Sequence, residues 1–147
     1  MLALALMVAC SHSDRHSVCL NMFAPNTDLT IDDVLEMGVD RIDGIDIDMF
    51  EFKRADTTIT ISFDMDSNST FIGYDWVVPI PDDTPDTLFL DEMREKYSVR
   101  FNPEKRLAYC PKNRLVFLYS IGNIENEIQP GSRRCFVLKY EPYLLMF

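Results

Sequence analysis

Asp64-Met-Asp-Ser-Asn68 is the stretch whose spacing comes nearest to a ligand set. Asp64, Asp66 and Asn68 fall at positions one, three and five of a calcium loop, and Asp75 falls at position twelve. Position six is Ser69 where Gly makes the sharp turn, and the last acid is Asp in place of a bidentate Glu, so a plain acidic turn is the competing reading. His12 and His16 have i,i+4 spacing without a third ligand nearby, which fits a solvated linker better than a metal site. No histidine follows residue 16, which removes Ser-His-Asp and Cys-His catalysis and most zinc sites from the rest of the chain. Cys110 and Cys135 lack an activating histidine and fit a disulfide or the core. The 24 Asp and Glu include no pair marked out for glycosidase chemistry. These residues predict neither an enzyme nor a cofactor.

The elements that must position the acids form a hairpin. Ile45–Lys53 and Thr58–Met65 both alternate with period two, and Arg54-Ala-Asp-Thr57 joins them. Pairing Phe52 with Ile59 and Phe50 with Ile61 fits the loop end, but the same register puts Asp48 against Phe63. One extra residue at Met49, a bulge, restores the alternation: Ile47 then faces Phe63, Ile45 faces Met65, and Asp46 faces Asp64 on the other side. Two carboxylates directly opposite repel. Asp46, Asp48, Asp64 and Asp66 thereby become a candidate strip for a positively charged partner, the alternative being a merely solvated face.

Around the hairpin, Val18–Phe23 reads as a first strand, and Thr30-Ile-Asp-Asp33 as a capping box that opens a short helix. Phe71–Ile80 is a strand that leaves the sheet, or lies on an edge, at Pro79. Thr84 as N-cap and Pro85 at the first position start a helix to about Ser98, with Phe89, Met93 and Tyr97 on one face. Short β-like runs follow at Val99–Phe101, Arg106–Cys110, Leu115–Ile121 and Arg134–Tyr140. The fold class expected is mainly β, an antiparallel β-sandwich-like unit with one or two short helices. The alternative is α+β, an antiparallel sheet with a packed helix. Hydrophobic residues make up 47% and aromatics 12%, as in a globular chain. Lys and Arg number 14 against 24 acids, and the net charge of −10 favours a basic protein or a cation over nucleic acid.

Met1-Leu-Ala-Leu-Ala-Leu-Met-Val-Ala-Cys10 is apolar up to its cysteine and too short to span a bilayer. It resembles the signal peptide and lipobox of bacterial lipoproteins. The resemblance implies cleavage before Cys10, lipidation at Cys10 and a domain held in the cell envelope, facing the periplasm, with Ser11 favouring the outer membrane. The alternative is a buried N-terminal element ending in an ordinary cysteine. On the lipoprotein reading, residues 1–9 are a signal peptide, residues 10–18 the lipidated cysteine and a polar tether, and residues 19–147 one β-rich domain. Cys19, Cys110 and Cys135 then allow three pairings and leave one thiol over. Tyr143-Leu-Leu-Met-Phe147 reads as a last edge strand or a packed tail.

This layout is similar to that of the small type VI secretion immunity lipoproteins of Gram-negative bacteria. The features that carry the similarity are the lipobox, the polar tether, Val18-Cys19-Leu20 in the first strand, a β-rich body and Cys110-Pro111. The resemblance implies a Cys19–Cys110 disulfide and a function of binding and neutralising a toxin. An envelope protein with a structural or calcium-binding role is the alternative.

Overall fold

The computed structural model describes residues 21–26, 28–36, 40–42, 47–64, 71–125 and 132–142. In chain order these form α1 (Ile31–Glu36), β1 (Asp40–Ile42), β2 (Ile47–Arg54), β3 (Thr57–Asp64), β4 (Phe71–Pro79), α2 (Asp86–Tyr97), β5 (Arg100–Asn102), β6 (Leu107–Cys110), β7 (Leu115–Glu125) and β8 (Ser132–Tyr140). The fold is mainly β and antiparallel. All eight described strands belong to one sheet, ordered β1-β2-β3-β4-β8-β7-β6-β5, with the helical segments on one face. It is thus built as one continuous sheet with a packed helix, two four-stranded meanders meeting where β4 pairs with β8.

Alternation along the strands decides which face is buried. Register pairs Phe50 with Ile61, Ile61 with Tyr74, Trp76 with Leu138 and Tyr119 with Leu138, so one face carries a continuous apolar surface across the sheet. Onto it pack Met22, Phe23, Leu29, Val34, Phe89, Met93 and Val99 from outside the strands. Burying such side chains stabilises the fold by roughly 1.5–3 kcal/mol each before the cost of ordering them.

The hairpin follows the expected pairing at its loop end, with Phe50 opposite Ile61 and Phe52 opposite Ile59 around the two-residue turn Ala55-Asp56. The bulge expected at Met49 is absent: β2 pairs with β3 without interruption, Asp48 opposite Phe63 and Ile47 opposite Asp64. The irregularity falls one strand further on. Ser62 pairs with Gly73 and Phe63 with Phe71, leaving Ile72 as the extra residue of β4. Phe71 and Tyr74 are an odd number of residues apart and both are buried, which a regular strand forbids and a bulge allows.

Helix α1 begins as expected: the Thr30 hydroxyl accepts from the Asp33 N–H at 3.2 Å, and the Asp33 carboxylate accepts from the Thr30 N–H at 3.0 Å. Helix α2 departs from expectation at its start. Pro85 is the N-cap and no side chain caps the helix, while the Thr84 N–H closes a turn on the Pro81 carbonyl at 3.0 Å. Arg134 replaces the cap as the fastening. Its guanidinium donates to Asp86 Oδ1 and to the Pro81 carbonyl, both at 3.0 Å, and to the Thr84 carbonyl, tying the helix entry to β8. At the other end Ser98 takes φ 55 and stops the helix where expected. Residues 21–24 form a tight turn, with the Ala24 N–H bonded to the Asn21 carbonyl at 3.1 Å, where the end of a first strand was expected. Residues 18–20, the signal segment and the tail 143–147 lie outside the described residues.

Candidate functional site

The acidic strip does not assemble as expected. Asp48 stands opposite Phe63, which is fully buried, so it is half-buried on the core side of the sheet. Asp64 is the next residue after Phe63 and is exposed on the opposite face. With Ile47 as the partner of Asp64, an Asp46–Asp64 opposition is ruled out by register. Asp46 and Asp66 lie outside the described residues.

The calcium set is dispersed by the same register. Asp75 pairs with Thr60, four residues from Asp64, so the two acids stand about 13 Å apart along the sheet. Two aspartates cannot span that and share an ion whose ligand oxygens lie about 2.3–2.6 Å away. Asn68 lies outside the described residues, and among the described ones no three His, Cys, Asp or Glu gather as metal ligands.

Asp75 instead belongs to a cross-strand pair, its carboxylate 4.0 Å from the Lys139 ammonium. Burial pushes its carboxyl above the usual range, against the opposing pull of Lys139. The folded carboxyl therefore keeps its proton to higher pH than the unfolded one. This contribution to stability is fully present below the ordinary Asp range and is lost as pH rises through the raised folded value. Asp75→Asn is expected to abolish that decline and to leave stability at neutral pH equal or higher. Denaturant midpoints from about pH 3 to about pH 7 check it, and an unchanged slope in the variant would contradict the assignment.

Cys110 and Cys135 are free, buried thiols on opposite faces of the sheet, Cys110 opposite Leu115 and Cys135 opposite Gly122. The Cys19–Cys110 bridge is not formed in this structure, and Cys19 lies outside the described residues. Burial raises the Cys135 thiol above its usual range, with Arg133 opposing, so it holds little nucleophilic thiolate at neutral pH.

Charge is divided unevenly along the chain. Residues 1–98 carry six Lys and Arg against twenty acids, whereas residues 99–142 carry eight against four. The net value of −10 conceals this division, and splitting the chain at the end of α2 would have exposed it. On the helical side, Asp82, Asp83, Asp86, Asp91, Glu92 and Glu95 are exposed, and Asp28, Asp32 and Glu36 flank or occupy α1. Each helix also displays a leucine to solvent: Leu35 is 53% exposed and Leu88 48%. Leu88, Asp91, Glu92 and Glu95 follow i, i+3, i+4, i+7 spacing and share one outward face of α2. Comparison with protein-family models, with curated proteins and with solved structures finds no match for this chain.

Proposed function

We propose that the chain is an exported, membrane-anchored binding protein that neutralises a basic protein partner, most simply a type VI secretion toxin. The observation that carries this reading is the outward face of α2, where exposed Leu88 sits among Asp91, Glu92 and Glu95. A leucine can enter a partner's pocket and supply buried apolar area, while the surrounding carboxylates meet Lys and Arg at the rim and speed association. The acidic strip of the hairpin is replaced in this role by the helical face.

Two further features belong to the same proposal. Cys10 carries the lipid that holds the domain to the outer membrane, and Cys19 pairs with Cys110 once the chain is in an oxidising compartment. Support for the pairing comes from the Phe23 carbonyl, which accepts from the Asn113 side chain at 2.7 Å, three residues beyond Cys110. Cys19 precedes Phe23 by four residues, at most about 14 Å of extended chain.

Co-expression with the product of the neighbouring gene in a Gram-negative host, together with palmitate labelling, tests the reading. The parent chain is expected to take up label and protect the cell, and Cys10→Ala to lose both. Unlabelled parent chain refutes the anchor. Labelled chain that neither protects nor binds refutes neutralisation and leaves an envelope structural role.

A further inference from the structure

The face of the sheet that the helices leave open carries a concavity of about 270 Å³ whose charge is opposite to that of the whole chain. Leu118 and Ser120 of β7 form its floor beside Val137 and Lys139 of β8, because the register pairs Leu118 with Lys139 and Ser120 with Val137. The β5–β6 loop forms its wall and contributes Lys105 and Arg106. Its described lining thus holds three cations and no carboxylate.

The wall is fastened to the floor. Asn102 Oδ1 accepts from the Lys105 N–H at 3.2 Å, and the Tyr119 N–H donates to the Arg106 carbonyl at 3.0 Å. Arg106 closes the loop at φ 54, a left-handed conformation that glycine adopts without strain and arginine does not. The Asp75 carboxylate stands 4.0 Å from the Lys139 ammonium, too distant for a hydrogen bond, so Lys139 can turn toward a ligand.

We propose that this concavity binds an anionic amphiphile. A single phosphate or carboxylate sits among Lys105, Arg106 and Lys139, and a short apolar body lies over Leu118 and Val137. Three converging cations in an acidic protein fit one anionic group, and the apolar floor fits a tail that a free inorganic ion lacks. The volume lies just below the usual range of ligand sites, about 300 to 1,000 Å³, and so fits a compact ligand or the head of a longer one. The proposal is independent of the toxin reading, which concerns the other side of the sheet.

Titration calorimetry on the full chain tests it, with octyl phosphate kept below its critical micelle concentration. Octyl glucoside supplies the same tail without charge, and inorganic phosphate supplies charge without the tail. Octyl phosphate is expected to bind at least about tenfold more tightly than either, and more weakly as salt rises. Arg106→Gly and Lys139→Ala are each expected to weaken it by about tenfold, the loss of one charge-assisted contact. Arg106→Gly also relieves the left-handed backbone, so its melting temperature should be equal or higher, which separates lost binding from lost folding. Asp75→Asn should tighten binding by releasing Lys139.

Phosphatidylglycerol vesicles distinguish the source. Vesicle binding competed by octyl phosphate assigns a membrane headgroup, and binding of the monomer alone assigns a free amphiphile. The proposal is overturned if octyl glucoside or inorganic phosphate matches octyl phosphate, or if no octyl phosphate binds. It is equally overturned if folded Arg106→Gly binds as the parent does, or if an acidic peptide occupies the face and octyl phosphate does not.

Discussion

Phe136→Ala is expected to destabilise the domain by about 3–5 kcal/mol. Phe136 is fully buried, and its ring lies 5.5 Å from that of Phe89, 6.1 Å from Phe101 and 6.0 Å from Tyr119. It therefore joins α2, β5 and β7 to β8. Alanine there removes three aromatic contacts and leaves a cavity that strands on both sides prevent from closing. Against a typical total stability of about 5–15 kcal/mol, that loss is a large share. Urea unfolding should show a lower midpoint with an unchanged slope. Leu88→Ala, on the solvent side of α2, should stay within about 0.5 kcal/mol of the parent. A Phe136→Ala cost near that of Leu88→Ala would place the core elsewhere.

Gly73→Ala is expected to do damage of similar size for a different reason. A Cβ at Gly73 would stand inside van der Waals contact of the Tyr140 backbone oxygen and 3.2 Å from its carbonyl carbon. Neither atom is the end of a flexible side chain. Gly73 also sits beside the Ile72 irregularity and one residue before the Tyr74–Tyr140 pair, where β4 meets β8. That seam is what joins the two meanders, so relieving the clash means shifting it, at about 3 kcal/mol or more. Gly122 is the comparison, because an added Cβ there meets nothing within 4 Å. Gly122→Ala should leave the melting temperature near that of the parent, and an equally mild Gly73→Ala would contradict the close approach.

The hairpin, the Thr30–Asp33 capping box and the Ser98 helix stop were legible because each is a local pattern closed within a few residues. The bulge was legible in kind but placed on the wrong strand. Asp48 against Phe63 looked like an error to be cured at Met49, yet the sheet tolerates a half-buried aspartate there. The conflict it resolves is the odd spacing of Phe71 and Tyr74. That choice depends on which aromatic rings meet in the core, where Phe63 lies 6.0 Å from Phe71, and no single strand encodes it. The β4–β8 seam was not legible, since it pairs residues 56 to 66 positions apart and neither segment carries a mark naming the other. Arg134 as the fastening of α2 was hidden for the same reason.

Charge was legible only as a total. The acid-rich first part and basic last part could be read from residue order, but the gathering of Lys105, Arg106 and Lys139 on the open face depends on alternation along β7 and β8. Leu88 was passed over because Phe89 and Met93 define the helix's buried stripe, and an exposed leucine has no local signal beyond lying off that stripe.

The proposed function rests on a basic partner being met by the acidic helical face. Its most direct test is the association rate of the neighbouring gene's product with the parent chain and with a chain carrying Asp83→Lys, Glu92→Lys and Glu95→Lys, measured across salt. All three carboxylates are exposed, so the reversal should leave the melting temperature near that of the parent. The parent is expected to associate quickly with a steep fall as salt rises, and the reversed chain at least about tenfold more slowly with a flat or inverted salt dependence. Equal rates and equal salt slopes in the two folded proteins would contradict the claim.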